Sequence, residues 1–538
     1  MALSLLSWLV SLTASTMGSP SPDPFWYASN LHWTYWAGLI MLISTLPMLT
    51  GRIRLELLAL GLLVGYLYLT PYLLHELPTV FDVYHVIPGV MSIVDSGGVD
   101  LGRITFPLSH VFYAFGVMLS GADPLGFSRI VPALIALVVS ISIYTGARTL
   151  STGYALLAPV TFLSLNWYME YHMARQGFGV MLWSIFIMLL VMAVHRRSVL
   201  LGILTGLVML SIIPAHPGMI IFMCFCLVIF TVLILSYVYN KGVWDTLKWF
   251  LLLPTAFFGG MLLVYHTMPH IREFVDDLFE HVLSGGDSHL GTGGPTETSQ
   301  SYRLVNNIRM FMGALQSLIG VVGVIILKNR KAVIWVVLTS FFIGSYFWLG
   351  YSALRGGRLI ERAFLTAIVP GSLLAVAFVV TRGNGYLDRM VTKGLVVVLA
   401  LCLILIPIAK NGVDAIETPS IEGYSAGRFA QEHMEGRVVV TDTHMGLFKY
   451  LDYERESEVT FRARHQGVPG RDEGGYGYPL PATQGDVARI IFVDYFNNYV
   501  EVRYGVEEAV WDIHAYEEYT EGRLHRTYDS GGARVYGS

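Results

Sequence analysis

Residues 55–75, LELLALGLLVGYLYLTPYLLH, decide the class of fold, and residues 78–85, PTVFDVYH, come shortly after them. The first stretch has about the 20 apolar residues that a helix needs to cross a bilayer. The whole chain has this character: its 538 residues are 54% hydrophobic and 14% charged, whereas soluble domains average about 25% charged residues. Its mean hydropathy is +0.56. The sequence therefore predicts an α-helical polytopic membrane protein.

Twelve further apolar stretches bring the predicted number of transmembrane helices to about 13. They cover residues 3–17, 35–50, 127–147, 153–166, 178–195, 199–214, 217–239, 247–267, 308–327, 332–350, 363–381 and 394–410. Residues 3–17 end in small side chains, so a cleaved signal peptide is the alternative interpretation there.

Basic residues in short loops favour the cytoplasm and so predict the orientation. Thirteen crossings with a cytoplasmic N-terminus satisfy them if the apolar segment 106–119 lies along the outer surface. Residues 76–126, 268–307 and 411–538 are then outside. We expect a multi-pass plasma-membrane protein whose loop around residues 285–299, rich in glycine, orders over bound substrate.

Charge divides the chain into two predicted domains. Residues 1–410 hold 23 basic and 17 acidic residues, and residues 411–538 hold 12 and 22. This distribution excludes a nucleic-acid-binding protein. In residues 411–538, a helical pattern and short apolar runs near 437–442 and 489–494 predict a soluble extracytoplasmic α/β domain. Its 11 Arg against 1 Lys indicate a high-salt or archaeal exterior.

The three cysteines, Cys224, Cys226 and Cys402, all lie in apolar runs. They predict neither a disulfide framework nor a thiolate metal site.

Three clusters of polar residues gather on the predicted outer side. In the first, Asp82 and His85 flank Tyr84 where a span leaves the membrane. A carboxylate at this boundary is partly desolvated, which raises its pKa and suits it to accept a proton from a hydroxyl. The alternative is that each residue is a solvated interfacial anchor.

The second cluster holds Arg355, Arg358 and Arg362 within eight residues. Guanidinium groups match phosphate oxygens, so this cluster is typical of a phosphate site. Binding of anionic lipid headgroups is the alternative. The third cluster is residues 166–177, with Arg175, together with His216; its spacing fits no metal motif.

These clusters together resemble the GT-C superfamily of polytopic glycosyltransferases, which use polyprenyl-phosphate-linked sugars. The resemblance rests on Asp82 with Tyr84 and His85, on residues 106–113 followed by Arg129-x-x-Pro132, on residues 170–179, and on residues 358–364. It covers most of residues 55–410. The Trp-Trp-Asp-Tyr-Gly string of oligosaccharyltransferases does not occur, which argues against an oligosaccharyltransferase proper.

The resemblance implies a GT-C membrane domain and transfer of a sugar from a polyprenyl-phosphate-linked donor to a glycan, lipid or protein acceptor in the cell envelope. Asp82 is then the general base of an inverting reaction, and His85 and Tyr84 orient it or the acceptor. Arg355, Arg358 and Arg362, with Arg175 and His216, bind the donor. No cofactor is certain, and a divalent cation (Mg²⁺ or Mn²⁺) stays open. The alternatives are a transporter or flippase of lipid-linked precursors and a non-catalytic scaffold.

Overall fold

The computed structural model describes the greater part of the chain. The described residues are 1–17, 25–75, 77–78, 82–100, 104, 106–168, 173–241, 244–267, 272, 300–327, 332–354, 360–380, 386–411, 421–433, 436–440, 459–463, 489–493, 525–529 and 533–537.

Helices dominate the first 411 residues. In the first part they are α1 (Ala2–Ala14), α2 (Trp26–Asn30), α3 (Trp33–Thr45), α4 (Ile53–Val64), α5 (Thr70–Leu74), α6 (Asp82–Ser96), α7 (Pro107–Ser120), α8 (Pro124–Leu150) and α9 (Leu157–Leu165). Then follow α10 (Arg175–Arg196), α11 (Val199–Ile212), α12 (Pro217–Lys241), α13 (Trp244–Thr267), α14 (Gln300–Leu327), α15 (Ala332–Leu354), α16 (Ile360–Val380) and α17 (Tyr386–Asn411).

Six helical segments of the described residues are long and apolar enough to cross a bilayer, and seven shorter apolar helices accompany them. The chain is therefore a mostly helical protein with several segments suited to a membrane, and the count of thirteen crossings stays a prediction. Helix α9 is shorter than its predicted span, with nine residues. At about 1.5 Å per residue it does not reach across the hydrocarbon core.

The span containing residues 53–74 is continuous but not uniform, because Gly65–Leu69 form a π-helical turn between α4 and α5. Such a turn frees backbone carbonyls, which need other donors. The Tyr35 hydroxyl donates to the carbonyl of Tyr66 (2.9 Å), and the Thr70 hydroxyl donates to that of Gly65 (3.1 Å). The turn therefore stays paired although it lies in an apolar environment.

Aromatic rings hold the centre of the bundle together. Trp183 of α10 lies 4.6 Å from Phe222 of α12 and 5.3 Å from Phe341 of α15, measured between ring centroids. Its indole N–H donates to the carbonyl of Thr366 in α16 (3.1 Å). The buried indole N–H of Trp183 thereby has an acceptor, as that of a buried tryptophan usually does. Four helices are thereby fixed around one residue.

Helix α7 covers the segment that the sequence predicts to lie along the outer surface. One face of it packs against α6, α8 and α10, while Phe115, Met118 and Leu119 are exposed. Its exposed apolar face is suited to the acyl boundary of a bilayer.

The described residues after 420 are a helix and five strands. Helix α18 is Ile421–His433, and the strands are β1 (Gly436–Val440), β2 (Val459–Ala463), β3 (Arg489–Val493), β4 (His525–Asp529) and β5 (Ala533–Gly537). The sheet order is β2-β1-β3-β5-β4, with β1 parallel to β2 and β3, and β5 antiparallel to β3 and β4. Helix α18, β1 and β3 lie where the sequence predicts a helix and two apolar runs, β2 was not predicted, and a separate domain over 411–538 stays a prediction.

Candidate functional site

Several described residues from the predicted site segments and their neighbours lie at one end of the helix bundle. We call this end, which holds His75, His110, Ala174, His216 and Arg362, the site end. Its side of the membrane is the predicted outer side.

Asp82 is the first residue of α6; its side chain lies outside the described part of the structure. Tyr84 is fully buried, and its hydroxyl donates to the carbonyl of Pro78 (3.3 Å). His85, the next residue, is exposed. The helix turns about 100° per residue, so these neighbours point in different directions. Tyr84 thus holds the backbone ahead of Asp82, and its predicted contact with substrate stays a prediction.

The chain before Asp82 is fixed by a residue that sequence reasoning did not select. Arg129 of α8 donates from Nε to the carbonyl of Tyr72 (3.0 Å) and from Nη2 to that of His75 (2.6 Å). The rings of Trp26 and His75 lie 5.4 Å apart. Burial, and then the charge of Arg129, lower the pKa of His75 to about 4. His75 is therefore neutral at physiological pH.

Helix α7 connects α6 with α10 through His110. This residue is 4% exposed, and a Cβ added to Gly89 of α6 would lie 2.7 Å from His110 Cδ2. Only a glycine permits this approach. Burial, and to a smaller extent the nearby charge of Arg175, lower the pKa of His110 to about 4. A hydrogen bond to the Phe106 carbonyl raises the pKa and offsets part of this shift.

The start of α10, where Arg175 is the first residue, is held by α7. The Tyr113 hydroxyl donates to the carbonyl of Ala174 (2.8 Å), and the rings of Phe112 and Phe178 lie 4.8 Å apart. Arg175 is half-buried. Its backbone is thus anchored on both sides by aromatic side chains of α7.

His216 caps the start of α12. Its Nδ1 accepts a hydrogen bond from the backbone N–H of Gly218 (2.9 Å), which is one of the donors that a helix start leaves unpaired. A neutral imidazole that accepts at Nδ1 carries its proton on Nε2. His216 therefore has a second nitrogen suited to donate to an acceptor such as a phosphate oxygen.

Arg362 of α16 reaches the same point. A Cβ added to Gly218 would lie 3.0 Å from His216 Cε1 and 3.7 Å from Arg362 Nη1. The structure therefore brings together Arg362 of the second predicted cluster and His216 of the third.

Three helices, α10, α12 and α16, begin at the site end close to these side chains. Each helix start carries a partial positive charge of about half an elementary charge. Together with Arg175 and Arg362 they make an environment that favours an anion.

Arg309 connects the end of α17 with the third cluster. Arg309 of α14 donates from Nε to the carbonyl of Ala409 (2.6 Å) and from Nη2 to that of Lys410 (3.3 Å). Its guanidinium carbon lies 5.5 Å from the centroid of the Trp167 ring, and that ring is 6.2 Å from Phe364. The end of α17 is thus tied to the third cluster and to α16.

Several predicted site residues lie outside the described part of the structure. These are Arg355 and Arg358, with residues 169–172 and the loop around residues 285–299. Among the described residues, no group of three or more His, Cys, Asp or Glu side chains could hold a metal ion.

His110 and Arg129 belong to motifs that carry the resemblance, but the sequence analysis assigned neither them nor Lys410 a role in the site. The signals were present but ambiguous: Arg129 stands in an Arg-x-x-Pro sequence, and Lys410 ends an apolar run. A basic residue at a helix end is usually an interfacial anchor.

Comparison with solved structures identifies the fold. The chain is similar to ArnT from Cupriavidus metallidurans bound to undecaprenyl phosphate, with a TM-score of 0.53 and 14% identity over 90% of this chain and 98% of that one. It is also similar to the oligosaccharyltransferase of Archaeoglobus fulgidus tethered to an acceptor peptide containing the NVT sequon, with a TM-score of 0.51 and 10% identity over 89% of this chain and 73% of that one.

No protein-family model matches the sequence, and no curated protein sequence matches it. At identities of 10% and 14% the two structures show the fold. The chain has the fold of the GT-C glycosyltransferases, and the resemblance stated from its motifs is confirmed at that level.

Proposed function

We propose that this protein is a membrane glycosyltransferase that moves a sugar from a polyprenyl-phosphate-linked donor to an acceptor hydroxyl or amide at the outer face of the plasma membrane. The observation that carries the proposal is the meeting of His216 and Arg362 at Gly218, beside the start of α10 with Arg175. This group lies in a fold that is shared with ArnT bound to undecaprenyl phosphate.

Donor binding is the first step. Arg362 and Arg175 supply guanidinium groups, and His216 supplies the Nε2 proton, for the oxygens of the donor phosphate. Arg355 and Arg358, which precede Arg362 in the sequence, are proposed as further ligands of the same phosphate. The charge on the phosphate increases as the glycosidic bond breaks, so preorganised cations stabilise the transition state more than the bound donor.

Asp82 acts in the second step. Its carboxylate takes the proton of the acceptor, the acceptor atom attacks the anomeric carbon, and the bond from that carbon to the phosphate oxygen breaks. The polyprenyl phosphate leaves with the electron pair. Attack in line with the departing group gives inversion at the anomeric carbon. His85, exposed next to Tyr84, orients the acceptor.

The test is a transfer assay on the purified protein in lipid, with polyprenyl-phosphate sugars as donors and a cell extract as acceptor pool. Asp82→Asn keeps the shape of the side chain and removes the base, so transfer should be lost while donor binding remains. Asp95→Asn is the matched control, because Asp95 lies on the same helix and is exposed. A parallel assay with chelator decides whether Mg²⁺ or Mn²⁺ takes part.

Two other functions predict different results. A transporter or flippase of lipid-linked precursors would move the donor across vesicles without consuming it. A non-catalytic scaffold would bind donor and give no product with any acceptor. Transfer by Asp82→Asn at the rate of the unaltered protein would remove Asp82 from the role of base.

A further inference from the structure

Three backbone carbonyls in the chain before Asp82, those of Tyr72, His75 and Pro78, accept side-chain hydrogen bonds. We propose that Arg129 is a positioning residue, which together with Tyr84 fixes the approach of the chain to Asp82 and so sets the rate of transfer. The inference rests on the proposed function, since it assumes that Asp82 performs the chemistry.

The first hold is at the end of the span. A helix leaves its last carbonyls without partners, and at the end of α5 Arg129 binds those of Tyr72 and His75, at 3.0 and 2.6 Å. Two nitrogens of the planar guanidinium group, Nε and Nη2, each donate to one of these carbonyls. A lysine ammonium is a single point charge on a flexible stem and does not reproduce this geometry.

Arg129 is itself well placed for this task. Its helix, α8, begins after Asp123, whose side chain accepts from the backbone N–H of Gly126 (3.0 Å). Helix α8 is 27 residues long and packs against α9 and α10. The guanidinium therefore extends from one of the most firmly packed helices of the bundle.

The second hold is on the side of α6. The Tyr84 hydroxyl donates to the carbonyl of Pro78 (3.3 Å), and Leu77 and Pro78 are buried. In the sequence, Tyr84 is one residue before His85 and two residues after Asp82. Arg129 and Tyr84 thus restrain the backbone at Tyr72, His75 and Pro78, ahead of α6.

The functional consequence follows from the sensitivity of catalysis to distance. A displacement of about 1 Å of a catalytic group can reduce the rate about 10²-fold. The hydrogen bonds of Arg129 go to the carbonyls of Tyr72 and His75 and not to the residues proposed to bind the phosphate, so its loss should reduce kcat for transfer and leave KM for the donor within about twofold.

The experiment compares Arg129→Gln and Arg129→Lys with Arg148→Gln. Arg148 lies in the last turn of the same helix, so its variant controls for the loss of a guanidinium from α8. We expect kcat to fall about 10²-fold in Arg129→Gln, with only partial recovery in Arg129→Lys and little change in Arg148→Gln.

Backbone hydrogen exchange supplies a readout that does not depend on activity. The backbone amides of Leu77, Val83 and Tyr84 should exchange about tenfold faster in Arg129→Gln than in the unaltered protein, because local opening governs exchange. Acceleration spread evenly over α8 and its neighbours would overturn the positioning role. If Arg129→Gln yields no folded protein, kcat and backbone hydrogen exchange are measured on Arg129→Lys and Tyr84→Phe instead.

The results separate this inference from the proposed function. Unchanged kcat in the Arg129 variants, with Asp82→Asn inactive, would refute the positioning role and leave the transferase proposal standing. Transfer by Asp82→Asn would refute the function itself, whatever the Arg129 variants do.

Discussion

The ammonium nitrogen of Lys410 lies 3.6 Å from the centroid of the Tyr68 ring. Lys410 is 1% exposed, and Tyr68 is fully buried in the π-helical turn. The hydroxyl of the same tyrosine accepts a hydrogen bond from Asn166 Nδ2 (2.5 Å). One ring therefore joins the end of the last span to the third cluster, and a desolvated cation–π contact of this kind contributes about 2 kcal/mol.

Replacement of Tyr68 tests this contact. Tyr68→Leu should lower the free energy of unfolding by about 2 kcal/mol or more, since it removes the ring below a buried ammonium. Tyr68→Phe keeps the ring and loses only the bond from Asn166, which should cost about 1 kcal/mol. Thermal unfolding in nanodiscs compares the two variants. Equal losses would show that the ring does not stabilise Lys410.

Arg362 should determine donor affinity. A charge-assisted hydrogen bond to phosphate contributes about 1.5–3 kcal/mol, so Arg362→Gln should weaken binding of polyprenyl phosphate about 10- to 100-fold. Titration of the purified protein with the lipid phosphate measures this. Lys393→Gln is the control, because Lys393 is an exposed cation on α17. Equal weakening in both variants would indicate general attraction of anionic lipid.

His216 has a capping role and a predicted binding role, and two substitutions separate them. Asn is a good N-cap residue, so His216→Asn should keep the bond from Gly218 N–H and lose only the Nε2 proton. His216→Ala should lose both and cost about 1 kcal/mol of stability. We expect weaker donor binding in both variants and a lower melting temperature only in His216→Ala. Normal donor binding by His216→Asn would leave the residue with the capping role alone.

Stability should depend on pH through His110. Burial, and then the charge of Arg175, lower its pKa from 6.5 to about 4; Ser109 Oγ lies 3.5 Å from its Nδ1. Between these values the unfolded chain binds more protons than the folded one, so acid favours unfolding. The contribution of the neutral histidine is complete above pH 6.5 and is lost as the pH falls toward 4.

The measurement is the melting temperature from pH 7 down to about pH 4.5. In His110→Gln the decline should be smaller, because one of the groups that bind protons on unfolding is absent. His75 shares the same direction, with its pKa lowered to about 4 by burial and by Arg129, so part of the decline should remain. A decline of the same size in His110→Gln would contradict the assignment.

The sequence by itself determined the helical membrane character of the chain and the segments that carry polar residues. Apolar runs of sufficient length are local properties, and the expected spans near 55–75, 127–147 and 178–195 correspond to α4 with α5, to α8 and to α10. The resemblance of its motifs to the GT-C superfamily also predicted the fold, which the comparison with solved structures supports.

Tertiary packing decided which of these residues meet. His216 and Arg362 are far apart in the sequence and adjoin at Gly218 only because α12 and α16 begin at the same end of the bundle. The rotation of α6 about its axis places Tyr84 in the interior and His85 on the surface. The pattern of polar residues in the sequence does not predict which of the two is buried. Arg129 binds backbone carbonyls rather than side chains. Every residue has a backbone carbonyl, so the residue types of its partners do not predict these bonds. Contacts of this kind depend on where backbones lie in space, so the fold alone establishes them.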